Sequence, residues 1–174
     1  MTHKLLVYCT IFFLATCLYS CGKSADKPGE AGAKTDTEMK TDAAAVPGAV
    51  KESPVFKILV PDGWQFSSFN DGTVQTYNAG GTFMVEAKKA GMNMTEKDVE
   101  TLLASMAKQY NGTPLETVEF LGMKFFKTSY TAFSKQQTMY NGLKDGAKIS
   151  ITLMGPDHLK DPTIQAVFQS IVLK

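Results

Sequence analysis

The side chains able to do chemistry are few and scattered along the chain. Of the two histidines, His3 and His158, the second sits in Pro156-Asp157-His158. A triad would need that imidazole beside an acid such as Asp157 and a hydroxyl such as Ser150. No serine occupies the strand-turn-helix context of a nucleophile elbow, so His158 reads as a loop residue in solvent. Met92-Asn93-Met94, with Met84 nearby, offers thioether sulfur of the kind that Cu(I) accepts. The motif has no His or Cys partner, and methionine is an ordinary filler of core gaps. Glu96, Asp98 and Glu100 crowd the start of a helix, where their charge suits the dipole. Glu116 and Glu119 fall on opposite faces of a strand and cannot act as a pair. Gly80-Gly81 makes a hairpin turn rather than a phosphate loop, because no helix follows at once. The expectation is therefore no catalytic residue, no metal and no cofactor: not an enzyme.

The elements that position these residues can be read from periodicity. Val55–Val60 alternates as a strand, with Phe56, Ile58 and Val60 to one side and Lys57 to the other. Pro61-Asp62-Gly63 turns the chain before Trp64. Val74–Tyr77 and Thr82–Lys88 flank the Asn78-Ala79-Gly80-Gly81 turn as a hairpin. Thr95 is an N-cap with Asp98 in the capping-box position. Val99, Leu102, Leu103, Met106 and Tyr110 then recur at helical spacing as one apolar stripe. Asn111-Gly112 stops that helix in a left-handed turn, and Pro114 prevents its resumption. Four strands follow, Leu115–Phe120, Met123–Phe133, Gln136–Leu143 and Ala147–Met154, joined at Leu121-Gly122, Ser134-Lys135 and Asp145-Gly146. Asp161 caps a last helix with Pro162 at its first position and Ile164, Val167, Phe168 and Ile171 on one face. Three strands, a helix, four strands and a helix predict an α+β single domain, mainly antiparallel sheet packed with two main helices.

The front of the chain has the layout of an export signal. Met1–Lys4 is short and basic, and Leu5–Leu18 is an apolar run without formal charge. It falls short of the about 20 residues that span a bilayer, so a cleaved leader is the reading. Leu18-Tyr19-Ser20-Cys21 resembles the bacterial lipobox, with an aliphatic residue, a small residue and the cysteine that becomes the new N-terminus. Tyr19 departs from the small residue usual at its position. Leu14-Ala15-Thr16-Cys17 is an overlapping candidate that would cut the apolar run short. The resemblance implies cleavage before Cys21 and lipidation on its sulfur. A single acyl chain binds a membrane only reversibly, whereas several chains hold firmly.

Composition then narrows what the rest can be. The three cysteines are Cys9, Cys17 and Cys21. Loss of a 1–20 signal peptide and acylation of Cys21 leave no thiol for a disulfide, a metal or a nucleophile. All 18 basic residues are Lys, and removing Lys4 with the leader leaves 17 against 17 Asp and Glu. Nucleic-acid binders show a basic excess and use Arg for bidentate contacts, so no nucleic-acid partner is expected. Within Gly22–Ser53 there is no Phe, Tyr, Trp, Leu or Ile. Such a stretch cannot bury enough apolar surface to offset its ordering entropy. Residues 21–53 are expected to be a lipidated, disordered tether of about 30 Å reach, with a short helix conceivable over Glu38–Ala45. The domain is expected over 54–174.

The opening FKILVPDGW, a helix after two hairpin strands, a run of long strands and the closing DPTIQAVFQSIVLK resemble the PsbP-like superfamily. That resemblance covers residues 54–174 and implies an α/β/α sandwich serving as a non-enzymatic binding or assembly module. Its members include an extrinsic photosystem subunit and a nuclear GTPase-release factor, and it carries over no catalytic residue.

The expected function is that of a membrane-anchored exported lipoprotein binding a protein partner of the cell envelope. The alternative is a carrier for a small apolar ligand or lipid, which needs a cavity between helices and sheet. Gly22 after the cysteine points to the outer membrane, facing the periplasm, in a Gram-negative source. In a Gram-positive one the address is the outer face of the cytoplasmic membrane. The strand faces opposite the aliphatic rows carry Lys57, Leu59, Met84, Glu86, Lys88, Lys148, Thr152 and Met154, and these are the expected partner surface.

Overall fold

A computed structural model describes residues 46–174. The 1–20 signal peptide, Cys21 with its lipidation, the tether over 21–45 and the conceivable helix at 38–45 lie outside the described residues. The elements run in the order β1 (Gly48–Glu52), β2 (Phe56–Pro61), β3 (Trp64–Ser68), β4 (Val74–Asn78), β5 (Met84–Ala90), α1 (Glu96–Gln109), β6 (Glu116–Phe120), β7 (Met123–Ala132), β8 (Lys135–Lys144), β9 (Ala147–Met154), α2 (Pro162–Gln169) and β10 (Val172–Leu173). Seven strands form one antiparallel sheet in the order β3-β4-β5-β9-β8-β7-β6, and β1-β2-β10 form a second, smaller one. The α+β class read from the sequence is the one observed.

Strict alternation decides which face of the large sheet is dry. Val85 and Ala87 on β5, Ile149, Ile151 and Leu153 on β9, Tyr140 on β8 and Phe125 on β7 project to one side. There they meet Phe56 and Ile58 of β2 and Ile164, Val167 and Ile171 of the α2 region in the main core. At roughly 1.5–3 kcal/mol for each large apolar side chain buried, this layer is the chief source of stability. The other side holds a smaller cluster, in which Val99 and Leu103 of α1 pack on Phe126, with Met94, Leu115, Met139 and Leu143 around them. Of the expected α1 stripe, Val99 and Leu103 are buried, Ala107 joins them, and Leu102 is exposed. The stripe is narrower than drawn because α1 rests mainly on β7 and β8.

The helix ends behave as their residues dictate. Thr95 Oγ1 accepts from the Asp98 backbone N–H while Asp98 Oδ2 accepts from the Thr95 backbone N–H at 2.8 Å, a complete capping box. At the other end Asn111, not Gly112, adopts the left-handed conformation, and the Gly112 N–H returns to the Ala107 carbonyl at 2.7 Å. Asp161 caps α2 through the Ile164 N–H at 2.9 Å, with Pro162 first in the helix.

Four expectations are corrected. Gly48–Glu52, assigned to the tether, is a strand. Its side chains are all exposed, and backbone pairing to β2 holds it where composition offered no signal. A Cβ at Gly48 would meet the Val60 carbonyl oxygen, with Pro61 Cα at 2.8 Å, so glycine permits that close approach. Trp64–Ser68, left unassigned, is β3, and pairing to β4 overrides its weak pattern. Val172–Leu173 adds a short strand to β2. The β7–β8 turn is Phe133-Ser134, with φ of 52° and 61°, rather than Ser134-Lys135; a two-residue turn with both φ positive matches the twist of the flanking strands.

Candidate functional site

The residues singled out for chemistry are dispersed by the fold, with one exception. Ser150 lies on the α1 side of the large sheet and donates to Asn141 Oδ1 at 2.8 Å, so it cannot join His158. Met84 pairs across to Met154 at one end of β5, whereas Met92 and Met94 follow the other end of that strand. Met92 is exposed and Met94 packs against the α1 cluster. Glu96 pairs with Lys124, Glu100 with Lys97 and Glu116 with Lys127, while Asp98 belongs to the capping box. Gly80-Gly81 lies in the β4–β5 hairpin, where the Gly81 N–H bonds the Asn78 carbonyl. Among the described residues no group of three or more His, Cys, Asp or Glu is arranged to hold a metal ion.

The exception is His158. It is not a solvent-facing loop residue: only 4% of it is exposed. Nδ1 lies 2.7 Å from the Gly155 carbonyl oxygen and Nε2 lies 2.7 Å from Thr138 Oγ1. Thr138 Oγ1 in turn lies 2.7 Å from Ser129 Oγ. Burial pushes the imidazole below its ordinary pKa, against the Gly155 carbonyl and the Asp157 charge, which favour its cation. The ring is therefore neutral at neutral pH. A carbonyl can only accept, so Nδ1 carries the proton and Nε2 accepts from Thr138.

This chain of groups opens on a cleft of about 410 Å³. Ser129, Thr131, Gln136 and Thr138 come from β7 and β8, Asn111 and Thr113 from the turn after α1, and Asp157 to Lys160 from the loop before α2. The α1 turn is locked to β7: the Thr113 N–H donates to the Ser129 carbonyl at 2.8 Å, and Thr113 Oγ1 accepts from the Ser129 N–H at 3.0 Å. The loop is locked to β8, because the Asp157 N–H donates to Gln136 Oε1 at 3.1 Å. Sequence reasoning missed Ser129 and Thr138. Small hydroxyls on an alternating strand carry no mark of their own, and alternation shows only that Ser129 shares a face with Phe125.

The expected partner surface is split. Met84, Glu86, Lys88, Lys148, Thr152 and Met154 do share one face, on β5 and β9. Lys57 and Leu59 belong to β2 in the smaller sheet. Because α1 packs on β7 and β8, this half of the large sheet lies beyond the helix. Small side chains there are covered by long neighbours: Ser150 and Thr152 are buried, whereas Met84, Glu86, Lys88, Lys148 and Met154 are half-buried. Gln75 Nε2 donates to Glu86 Oε2, and Lys88 pairs with Asp71 at 3.2 Å. Desolvation, followed by the charge of Lys88, lowers the Lys148 pKa.

No family model and no curated protein matches the chain. Solved structures do. The solution structure of cyanobacterial PsbP (CyanoP) from Synechocystis sp. PCC 6803 aligns at 12% identity with a TM-score of 0.49, covering 68% of this chain and 86% of that one. A crystal structure from Bacteroides thetaiotaomicron VPI-5482 aligns at 13% identity with a TM-score of 0.51. That alignment covers 74% of this chain and 49% of the other, so the chain spans about half the length of that protein. The likeness at this identity is one of fold.

Proposed function

We propose that this chain is an exported lipoprotein, cleaved before Cys21 and acylated there, whose PsbP-like domain is a non-catalytic module binding a protein of the cell envelope. Its address is the outer membrane facing the periplasm, or the outer face of the cytoplasmic membrane in a Gram-positive source. The observation that carries the binding reading is the half-sheet that α1 leaves uncovered. There Met84 and Met154 supply adaptable apolar contact, and Lys88 and Lys148 supply charge. Burial and then the charge of Lys88, itself paired with Asp71, disfavour the Lys148 cation, and an acidic patch on a partner offsets both. The carrier alternative would use the cleft beside His158, where Tyr130 and Leu159 add apolar surface to hydroxyl, amide and charged side chains.

The test is native mass spectrometry of the full chain extracted in mild detergent from its own membrane, beside the double variant Lys88→Glu, Lys148→Glu. A partner retained by the wild type and lost by the variant is the expected result. Equal retention by both overturns the surface assignment. The mass of the N-terminus reports separately on Cys21: an unmodified terminus overturns the lipoprotein reading.

A further inference from the structure

The hydrogen bonds that end at His158 have a fixed direction, and that direction sets what the cleft can bind. Nδ1–H donates to Gly155, so Nε2 must accept the proton of Thr138 Oγ1. A threonine hydroxyl has one proton. With that proton committed, the 2.7 Å contact between Thr138 and Ser129 requires Ser129 to donate and Thr138 to accept. Ser129 has then spent its only proton inside the protein. What it offers the cleft is lone pairs alone.

We propose that the cleft is a binding site for a neutral polar ligand, of amide or alcohol class, that donates a hydrogen bond to Ser129 Oγ, and that protonation of His158 removes this requirement by freeing the Ser129 hydroxyl to donate. An imidazolium donates from both nitrogens. Nε2–H would then donate a hydrogen bond to Thr138 Oγ1, Thr138 would donate to Ser129, and the Ser129 hydroxyl would be released toward the cleft as a donor. One covalent bond forms, Nε2–H with a proton from solvent, and every other change is a reversal of hydrogen-bond direction. The ligand never touches the titrating group: two hydroxyls pass the change of polarity to it.

The ligand class follows from what lines the opening. Asp157 and Lys160 place one charge of each sign there, so the rim has no net charge to select an ion. Asn111, Thr113, Thr131 and Gln136 add amide and hydroxyl groups. The charged groups around His158 are few. Its own loop supplies Asp157 and Lys160, with Asp161 at the α2 cap. β7 and β8 face it with the hydroxyls of Ser129 and Thr138, and α2 reaches its carbonyl through Gln165 Nε2 at 3.3 Å. Asp157 is the charge that acts on the ring, and it favours the cation. The partner surface on β5 and β9 is a separate set of residues, none of which lines the cleft.

The experiment uses the full chain in detergent, labelled with nitrogen-15, and two amide probes titrated at neutral pH and again below the titration point of His158. Acetamide has N–H donors; N,N-dimethylacetamide only accepts. Acetamide is expected to shift the Ser129, Thr131 and Thr138 amide resonances at neutral pH. It should bind about five-fold more tightly than the dimethyl probe, the factor that one neutral hydrogen bond supplies. In acid the preference should vanish, because both probes carry a carbonyl able to accept from Ser129. Ser129→Ala should remove the discrimination at neutral pH, and Thr138→Val should remove its pH dependence, because the relay is cut. Equal affinity of the two probes at neutral pH, an undiminished preference in acid, or no shift with either probe overturns the proposal. The imidazole nitrogen resonances give an independent reading, since a proton on Nε2 rather than Nδ1 at neutral pH would also overturn it.

Discussion

His158 Nε2 lies 2.7 Å from Thr138 Oγ1, so a residue of the β9–α2 loop is fastened to the middle of β8 across 20 positions of sequence. The ring fills a buried site and satisfies both its nitrogens there. Removing it leaves a void and takes one of the two hydrogen bonds of the Thr138 hydroxyl, the other being to Ser129. His158→Ala is expected to lower stability by about 2–4 kcal/mol. Thr138→Val keeps the shape but strands Nε2, and about 1–2 kcal/mol is expected. Urea unfolding of the two variants checks both values, and the order reversed would show that the hydrogen bonds outweigh the packing.

The same ring makes stability depend on pH. Its folded pKa lies below the ordinary 6.5, so the unfolded chain binds the proton first as pH falls. Stability from this group is complete above 6.5, declines as pH drops below that value, and levels off once the folded ring is also protonated. Asp71 acts lower on the scale. The Thr73 backbone N–H, the Thr73 side chain and Lys88 together pull its carboxyl from 3.8 to about 2. Its contribution is present above 3.8 and is lost as pH falls from there to about 2. A pH series of melting temperatures should show the first decline in wild type and not in His158→Phe.

Thr76 is fully buried in β4 and its hydroxyl has no protein partner. Thr76→Val keeps the branched shape that suits a strand and removes a polar group that was desolvated without return. An increase of about 1 kcal/mol, or about 4 °C in melting temperature, is expected. A lower melting temperature would mean that the hydroxyl is satisfied by solvent.

Phe133 occupies a left-handed position with φ of 52° at the β7–β8 turn, and 88% of it is exposed. A bulky residue there gains little from burial and is strained by its backbone. Phe133→Asn with Ser134→Gly installs the residues that such a turn prefers. The pair is expected to stabilise the domain by about 1 kcal/mol, read as a higher midpoint in denaturant with an unchanged slope.

The sequence carried the frame wherever side chains decide the outcome. The long strands β7, β8 and β9 and both helix caps were legible, because alternation, Thr95 with Asp98, and Asp161 with Pro162 are local signals. It was silent where backbone pairing decides, as in β1, whose side chains all face solvent, and in β3, whose pattern is weak. The cleft was illegible for a third reason. Ser129, Thr138 and His158 are ordinary residues in sequence, and only the register of β7 on β8 and the return of the Gly155 loop bring them into line. Pairing His158 with Ser150 failed because Ser150 projects to the opposite face of the sheet.

The small sheet joins the two ends of the domain. β1 and β10 flank β2, and the Lys174 ammonium reaches Glu52 at 3.2 Å and the Ser53 carbonyl at 3.2 Å. Tension arriving through the chain before Val46 therefore falls first on the pairing of Gly48–Glu52 with β2, ahead of the main core. A pull along β1 strains all its backbone bonds together, while a pull across it first breaks the bond from the Asp62 N–H to the Pro47 carbonyl. The direction of the load, more than its size, decides whether the domain holds its shape.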